Sequence, residues 1–291
     1  MDTLCIVALL LIPVFWILYL ILNRRVPYPP PLNLYGISLA FAAVLGYFFA
    51  RRRAVKDFGI SPDDFDDAAL MATIGGVLGA RLGFVLFYDL YYFVRHPLEI
   101  VGFKNGHFVG LRGLSIHGAV FGGLLMLLVW ALWRRGFSKL LPMLDAAAPV
   151  LPLSQAIGRW GNFFNRELWG WPTDVPWALW VPPERRSYGP FSFPDSSTFH
   201  PVFLYEGTLN LIGVCVILAV ERWAKRRGYY FPSFTAALWF IWYGIVRFGI
   251  EFVRVEPKVV GPFTMGQFLS LLMIVSASIY LWWGVRRQVV R

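Results

Sequence analysis

Charged residues are scarce in this chain: Asp, Glu, Lys and Arg make up 15% of its 291 residues, against about 25% in a soluble domain. Histidine is also rare, with four residues, and cysteine has two. The histidines show no His-Glu-x-x-His pattern, which argues against an intramembrane metalloprotease. Cys5 and Cys215 lie in apolar stretches without metal-type spacing, so the sequence predicts two packing residues and neither a disulfide framework nor a metal site.

Apolar residues are abundant: 57% of the chain is hydrophobic and 18% is aromatic. Several stretches run for about 20 residues almost without charge, which is the length of a helix that crosses a bilayer. The expected fold class is therefore all-α. We predict a polytopic bundle of seven to eight transmembrane helices that forms a single integral membrane domain over residues 1–291.

The net charge of +10 does not indicate nucleic-acid binding, because the basic residues form short clusters at the ends of apolar segments. Basic clusters of this kind favour the cytoplasmic side of a membrane. This places the C-terminus in the cytoplasm and the intervening hairpins towards the outer face. The clusters are Arg51-Arg52-Arg53 with Lys56, Arg134-Arg135 with Lys139, Arg222 with Lys225-Arg226-Arg227, and Arg286-Arg287 with Arg291.

The predicted spans are 3–22, 33–50, 67–89, 114–133, 143–163, 203–220, 233–252 and 264–284. Segment 3–22 has neither a basic start nor a cleavage site, so we interpret it as an uncleaved span and not as a signal peptide. Arg24 and Arg25 would then face outward, although basic residues favour the cytoplasmic side. A tilted or interfacial first helix therefore stays an alternative.

Two long outer loops are expected at 90–113 and 165–202. The second contains Trp169, Trp171, Trp177 and Trp180, and tryptophan prefers the headgroup level of a membrane. This position would suit chemistry at a lipid headgroup, but simple anchoring of the loop explains each tryptophan equally well. Glycines every fourth residue on the predicted helices permit close helix contact in lipid. They are Gly75, Gly79 and Gly83, followed by Gly118 and Gly122.

Charged groups inside membrane spans are functional candidates by default, because burying them in lipid is costly. The set consists of Arg81, His117, Arg159, Glu206, Arg247 and Glu251. Tyr243, Arg247, Glu251 and Arg254 follow one helical face, where Arg247 and Glu251 can pair directly. An ion pair that only lowers the cost of insertion is the structural alternative. The excess of arginine favours an anionic partner such as a phosphate.

Segment 158–170 is unusually polar for a lipid-facing helix, with three glycines, two arginines, two asparagines and a glutamate. We interpret it as a helix break that exposes these groups to a water-filled cavity. His117 and His200 are candidate bases, because imidazole titrates near neutral pH. Either histidine alone is more often a hydrogen-bonded structural residue.

These residues resemble a known family. Positions 158–170 read G-R-x-G-N-F-x-N-x-E-x-x-G, which is similar to the signature of prolipoprotein diacylglyceryl transferases. Further similarities follow in the same order over about 33–284. They include Tyr35-Gly36, Gly79-Ala80-Arg81-Leu82-Gly83, Ser115-Ile116-His117-Gly118, His200-Pro201, Tyr205-Glu206, Tyr243-Gly244 and Met265-Gly266-Gln267. Ala119 departs from the pattern, which has a second glycine there, and segment 3–22 precedes the matched region.

The resemblance implies an enzyme of the bacterial inner membrane that acts near the outer leaflet without metal or cofactor. It would transfer the diacylglyceryl group of phosphatidylglycerol to the lipobox cysteine of a prolipoprotein, which enters with its signal peptide, and release glycerol 1-phosphate. A transporter or flippase for anionic lipids is the alternative function.

For this reaction we hypothesise roles for individual residues. Arg159 and Arg247 would hold the phosphate, with Glu251 among the catalytic residues. Glu167, Glu206 and Glu251 would position the arginines, and His117, then His200, would be the general base. The full set expected to bind the headgroup is Tyr35, Arg159, Asn162, Asn165, Glu167, Gly170, His200, Glu206, Tyr243, Arg247 and Arg254.

Overall fold

The computed structural model describes residues 3–30, 32–88, 90–104, 106–108, 110, 113–134 and 136–289. Its helices are α1 (Thr3–Leu22), α2 (Leu34–Phe58), α3 (Pro62–Tyr88), α4 (Leu90–Arg95), α5 (Pro97–Ile100), α6 (Ile116–Trp133), α7 (Phe137–Ala147), α8 (Leu151–Phe164), α9 (Val202–Arg227), α10 (Phe234–Ile250) and α11 (Met265–Val289). A short 3-10 helix covers Pro183–Arg185.

Short antiparallel strand pairs lie in the connections between helices. The pairs are β1 (Phe103–Lys104) with β2 (His107–Phe108), β3 (Leu179–Trp180) with β6 (Thr198–Phe199), β4 (Ser187–Tyr188) with β5 (Phe191–Ser192), and β7 (Lys258–Val260) with β8 (Phe263–Thr264). Both predicted outer loops, 90–113 and 165–202, therefore contain some regular structure.

Five helices among the described residues are long and apolar enough to cross a membrane: α1, α2, α3, α9 and α11. Many large apolar side chains on them are exposed, as expected for contact with lipid. The predicted spans 114–133 and 233–252 correspond to the shorter apolar helices α6 and α10. The expectation of a polytopic membrane protein built from helices is confirmed.

The predicted fifth span, 143–163, is not one continuous helix. The structure has α7 and α8 instead, bent by 54° across a short break. Proline supplies the physical reason: Pro149 and Pro152 lack the N–H that a continuing helix would donate, and each restricts the residue before it. Together the two helices are long and apolar enough to form one bent span, so a crossing at 143–163 stays a prediction.

The chain divides into two compact units. The first comprises Met1–Arg53 and Leu144–Arg291, and the second comprises Ala54–Met143. The single integral membrane domain over 1–291 stays a prediction.

Helix α9 is the centre of the first unit and packs against α1, α8 and α10, while α10 packs against α11. Near the C-terminal end of α9, the buried Glu221 carboxylate pairs with Arg53 of α2, with Nη2 2.9 Å from Oε2. Asp145 of α7 is also buried and caps the start of α10. Its carboxylate accepts hydrogen bonds from the backbone N–H of Ser233 at 2.7 Å and of Ala236 at 2.9 Å. These buried charges are therefore matched by specific donors.

The two cysteines form a disulfide, Cys5 of α1 with Cys215 of α9. The prediction that both are packing residues was wrong, because 210 residues of sequence separate them and only the antiparallel packing of α1 on α9 brings them together. Further along the same pair of helices, Trp16 Nε1 donates to Thr208 Oγ1 at 3.1 Å. Helix α1 thus runs beside a spanning helix over most of its length.

Helices α3 and α6 pack closely in the second unit through their glycines, as predicted. A Cβ placed on Gly79 would lie 2.3 Å from the carbonyl oxygen of Gly118, and one on Gly75 would lie 2.4 Å from that of Gly122. No side chain fits at such distances, so the backbones themselves form the contact.

We expect Gly79→Ala to lower the free energy of unfolding by about 1–3 kcal/mol, because the added methyl must push the two helices apart. The neighbouring Gly76→Ala is a matched control, since its Cβ would lie 3.6 Å from the Ala119 carbonyl oxygen, an ordinary contact. Thermal unfolding of the purified protein measures both. Equal unfolding temperatures for the two variants would contradict the close packing.

Arg81 of α3 is buried, and its charge has a structural explanation. Its guanidinium donates from Nε to the carbonyl of Ile100 at 2.7 Å and from Nη1 to that of Gly113 at 3.1 Å, and also to the Glu99 carbonyl. Phe93 lies beneath it, 5.0 Å from ring centroid to Cζ. The residue therefore fastens the connection between α3 and α6.

Candidate active site

Arg159 and Glu206 form an ion pair between α8 and α9. The Glu206 side chain is fully buried, whereas a quarter of the Arg159 side chain is exposed. A buried carboxylate is costly without a cation, so the pairing fixes the guanidinium on one side. Because arginine has five N–H donors and the pair engages Nη2, donors remain for an anionic ligand.

Two tyrosines lie close enough to Arg159 to interact with it electrostatically: Tyr35 at the start of α2 and Tyr243 in α10. The Tyr35 ring packs on Gly161, where a Cβ would lie 2.8 Å from its Cδ2 atom. Tyr243 stacks on Trp239 with 5.5 Å between ring centroids. The structure therefore gathers three of the predicted headgroup residues around the end of α8.

A second charged cluster surrounds Glu251, directly after α10. Arg247 Nη2 lies 2.6 Å from Glu251 Oε1, which confirms the predicted pairing, and Arg254 Nε lies 3.4 Å from the same oxygen. Thr264 donates its hydroxyl to Oε2 at 2.6 Å. Gly266 leaves room for the carboxylate, since a Cβ there would lie 2.7 Å from Glu251 Cδ. The almost fully buried Glu251 thus holds two arginines.

Arg254 connects this cluster to the long connection 165–202 between α8 and α9. It lies beyond α10 and not on its helical face, and its Nη2 is 2.5 Å from Glu256 Oε1. The hydroxyl of Tyr188, in β4, donates to the same glutamate oxygen at 3.1 Å. Tyr188 also lies within electrostatic range of Arg247, and its pKa is raised, mainly by burial.

The polar segment 158–170 is helical as far as Phe164 and then turns sharply, so the predicted helix break occurs at its middle. Asn162 and Asn165 donate to the two oxygens of Glu167 at 3.4 and 3.3 Å. Glu167 thus orients two amides, whereas the sequence predicted that it would position an arginine. Its described hydrogen bonds go to the asparagines alone.

Backbone hydrogen bonds join His200 to Gly170 and Trp171. The N–H of Gly170 donates to the His200 carbonyl at 2.9 Å, and the N–H of His200 donates to the Trp171 carbonyl at 3.1 Å. A side chain at Gly170 would collide with the Val253 carbonyl oxygen, 2.3 Å from the Cβ position. Glycine is therefore required at position 170, where the backbone forms an antiparallel bridge with Arg254.

A cavity of about 270 Å³ lies beside these groups. Its lining includes Arg166, Glu167, Trp169, Arg185, Tyr188 and Arg254. Three arginines and one glutamate give it a cationic wall. The cavity is therefore suited to an anionic group.

His117 lies in the second unit, in the first turn of α6, with an exposed side chain. The preceding Ser115 caps this helix by accepting a hydrogen bond from the Gly118 N–H at 3.2 Å. Gly118 packs tightly on α3, but Ala119, the departure from the family pattern, is accommodated in the helix. The role of His117 as general base stays a prediction.

His200 precedes α9, with its Nδ1 3.2 Å from the Tyr205 hydroxyl. Burial lowers its pKa below the ordinary 6.5. The folded protein therefore binds a proton on the His200 imidazole less tightly than the unfolded chain does. The contribution of neutral His200 to the free energy of unfolding is fully present above pH 6.5, and it is lost as the pH falls through the pKa of His200 in the folded protein.

We expect the unfolding temperature to fall on acidification from about pH 7.5 to about pH 5, and His200→Gln to remove part of that decrease. Calorimetry or dye-monitored unfolding of both proteins across this range measures the effect. An identical pH dependence in the variant would show that His200 does not contribute.

The sequence interpretation missed several residues of the site. Thr264 was missed although a signal existed: Thr-x-x-Gln before an apolar run is a helix capping box. Thr264 N donates to Gln267 Oε1 at 3.1 Å, and Gln267 N donates to Thr264 Oγ1 at 3.0 Å. Tyr188 was missed as well, and no local pattern points to it, since its partners are distant in sequence.

Comparison with known proteins assigns the chain to a family. Residues 25–283 match the family described as "Prolipoprotein diacylglyceryl transferase". The chain belongs to the prolipoprotein diacylglyceryl transferase family. The transferase class expected from the signature is thereby confirmed.

Individual members of the prolipoprotein diacylglyceryl transferase family agree over most of the chain. A protein of Fervidobacterium nodosum is 39% identical over 84% of this chain and 78% of its own length. Proteins of Parasynechococcus marenigrum and Pseudomonas fluorescens are 34% and 35% identical, over 89% and 88% of this chain and 92% and 91% of their own lengths. Each is named phosphatidylglycerol–prolipoprotein diacylglyceryl transferase.

Proposed function

We propose that this protein transfers the diacylglyceryl group of phosphatidylglycerol to the lipobox cysteine of a prolipoprotein. The relatives carry both substrates in their names. The observation that carries the proposal is the pair of arginines, Arg159 and Arg247, each partly exposed and each held by a buried carboxylate. Preorganised cations of this kind stabilise a phosphate that gains charge during a reaction.

In the proposed reaction the cysteine sulfur attacks the diacylglyceryl carbon that carries the phosphate ester. The carbon–oxygen bond breaks, glycerol 1-phosphate leaves with the electron pair, and a thioether remains. A free thiol has a pKa of about 8.5, so a base that accepts its proton speeds the attack. His117 is the first candidate for this base and His200 the second. No metal or cofactor enters the scheme.

The remaining site residues would orient the headgroup. Arg159 and Arg247 would bind the phosphate, and Arg254 shares the ion-pair cluster of Arg247 and Glu251. Asn162 and Asn165 are oriented by Glu167 and can donate to the glycerol hydroxyls. Tyr35 and Tyr243 complete the wall around Arg159.

We further propose that the site lies near the outer leaflet of the bacterial inner membrane and that the C-terminus is cytoplasmic. The basic residues at the ends of α9 and α11, Lys225 to Arg227 and Arg286 with Arg287, support this orientation. Glu206 lies near the start of α9, away from the basic end of that helix, and Arg159 pairs with it. Glu251 follows the C-terminal end of α10. Secreted prolipoproteins would meet the site near the outer leaflet.

The test is incubation of the purified protein with phosphatidylglycerol and a synthetic lipobox peptide, followed by mass spectrometry. A diacylglyceryl adduct is expected, and a peptide with serine in place of the lipobox cysteine is the control. His117→Ala measured beside the wild type tests the base: full activity would remove His117 from that role. Lipid movement across vesicles without any adduct would favour transport instead.

A further inference from the structure

Helix α1 precedes the part of the chain that matches the family, which begins at residue 25. The match therefore gives this helix no role. Its sequence is apolar throughout, yet its last turn is followed by the buried polar residue Asn23. The contacts of this end of α1 lead directly to the site.

The first contact is made by Arg166, which lies inside the polar segment and is 1% exposed. Its guanidinium Nη2 donates to the carbonyl of Asn23 at 2.9 Å and faces that of Val26 at 3.4 Å. These carbonyls follow the C-terminal end of α1, where a helix favours a cation. Phe163 packs against the guanidinium, 4.8 Å from Cζ to the ring centroid.

Arg166 has an unusual backbone conformation. Its φ is 51°, in the left-handed region that favours glycine over an L side chain. Leu168, two residues later, is also left-handed, with φ 53°. The unusual turn that presents Glu167 is thus held in place by a side chain anchored on α1.

The second contact is made by Asn23 itself. Its Nδ2 donates to the Ala178 carbonyl at 2.8 Å, and its Oδ1 lies 3.3 Å from the Trp180 N–H. The neighbouring Tyr19 donates its hydroxyl to the Trp177 carbonyl at 2.7 Å. The end of α1 therefore fixes segment 177–180 of the second outer loop.

Segment 177–180 continues the connection to the site. The indole of Trp177 donates to the Tyr205 hydroxyl at 2.8 Å, which in turn lies 3.2 Å from His200 Nδ1. Tyr205 is adjacent to Glu206, the partner of Arg159. At its other end α1 is tied to α9 by the Cys5–Cys215 disulfide, so it is fixed along the helix that carries Glu206.

We propose that α1 with Asn23 is a positioning element for the headgroup site, acting through Arg166 on the turn around Glu167 and through Asn23 on segment 177–180. Arg166 and Asn23 are positioning residues and need no contact with substrate. The inference rests on the proposed function, because its kinetic consequence is a change in transferase activity.

The experiment compares Arg166→Gly and Asn23→Leu with the wild type. Glycine suits the left-handed backbone but removes the guanidinium, and leucine fills the space of Asn23 without its hydrogen bonds. We expect kcat/KM for phosphatidylglycerol to fall at least about tenfold, since small misplacements of binding groups cost this much or more. KM for the peptide should stay within about threefold of the wild type. Arg166→Lys should retain an intermediate activity.

Arg24→Ala is the matched control, because Arg24 is an exposed residue on the same turn and should leave the kinetics unchanged. Amide hydrogen exchange over 165–182 supplies a readout independent of activity, and it should accelerate in Arg166→Gly and Asn23→Leu alone. Unchanged kinetics with a lowered unfolding temperature would overturn the proposal and leave α1 a purely structural helix. Absence of adduct from the wild type would contradict the proposed function, while the exchange experiment would still test the contacts of α1.

Discussion

Arg247→Ala is expected to lower kcat for diacylglyceryl transfer by about 100- to 1000-fold, the loss typical of removing one preorganised charge-stabilising donor. In the proposed reaction the leaving phosphate gains negative charge as the carbon–oxygen bond breaks, and Arg247, which lies 2.6 Å from Glu251, would stabilise that charge. Steady-state rates of adduct formation by mass spectrometry give the value. The free energy of unfolding should change less than kcat does, because Glu251 keeps Arg254 and Thr264 as partners.

Two further variants test whether the effect is specific to the guanidinium of Arg247. Arg247→Lys retains the charge but loses the planar fork, so we expect an activity between the wild type and alanine. Arg286→Ala removes an exposed arginine at the far end of α11 that stacks on Trp282 and should leave kcat unchanged. Wild-type kcat in Arg247→Ala would exclude this arginine from the reaction.

Glu251→Ala is expected to lower the free energy of unfolding by about 3–5 kcal/mol, because removing one partner of a buried ion cluster leaves uncompensated charge. Both Arg247 and Arg254 would lose their shared carboxylate, and the Thr264 hydroxyl would lose its acceptor. Chemical or thermal unfolding measures the change. Activity should be lost together with stability.

Glu256→Ala provides the comparison, because Glu256 pairs with the same Arg254 but is one fifth exposed. Its removal should lower the free energy of unfolding less than the removal of Glu251 does, because Glu256 is partly exposed and Arg254 keeps Glu251 as a partner. If the two alanine variants were equally stable, the central place of Glu251 in the cluster would be refuted.

Composition and periodicity predicted much of the architecture. Runs of apolar residues identified α1, α3 and α9 to within a few residues at one end or both. The spacing of four residues between Arg247 and Glu251 predicted their pairing, and the glycines at 75 and 79 predicted a close helix contact. All these features depend on helix geometry within one element or on small residues that repeat along it.

Features that depend on long-range geometry were not predictable in the same way. Cys5 and Cys215 form a disulfide only because α1 lies antiparallel on α9, which no local pattern encodes. The break between α7 and α8 coincides with Pro149 and Pro152, whereas the apolar content of 143–163 predicted only a span there. The sequence identified Arg166 only as one of the polar groups of segment 158–170. Its hydrogen bond to the Asn23 carbonyl could not be predicted, because the two residues are distant in sequence.

The distance in sequence between α1 and its partner has a consequence for biosynthesis. Trp16 and Thr208 are 192 residues apart, so at about 5–20 residues per second roughly 10–40 s pass before α9 is synthesised. During this interval α1 must stay in the membrane without its final neighbour. Its 20 residues contain no charged side chain, which allows it to wait as a solitary helix in lipid. The site near Glu167 can therefore reach its final form only late in translation, after the N-terminal helix has been joined by α9.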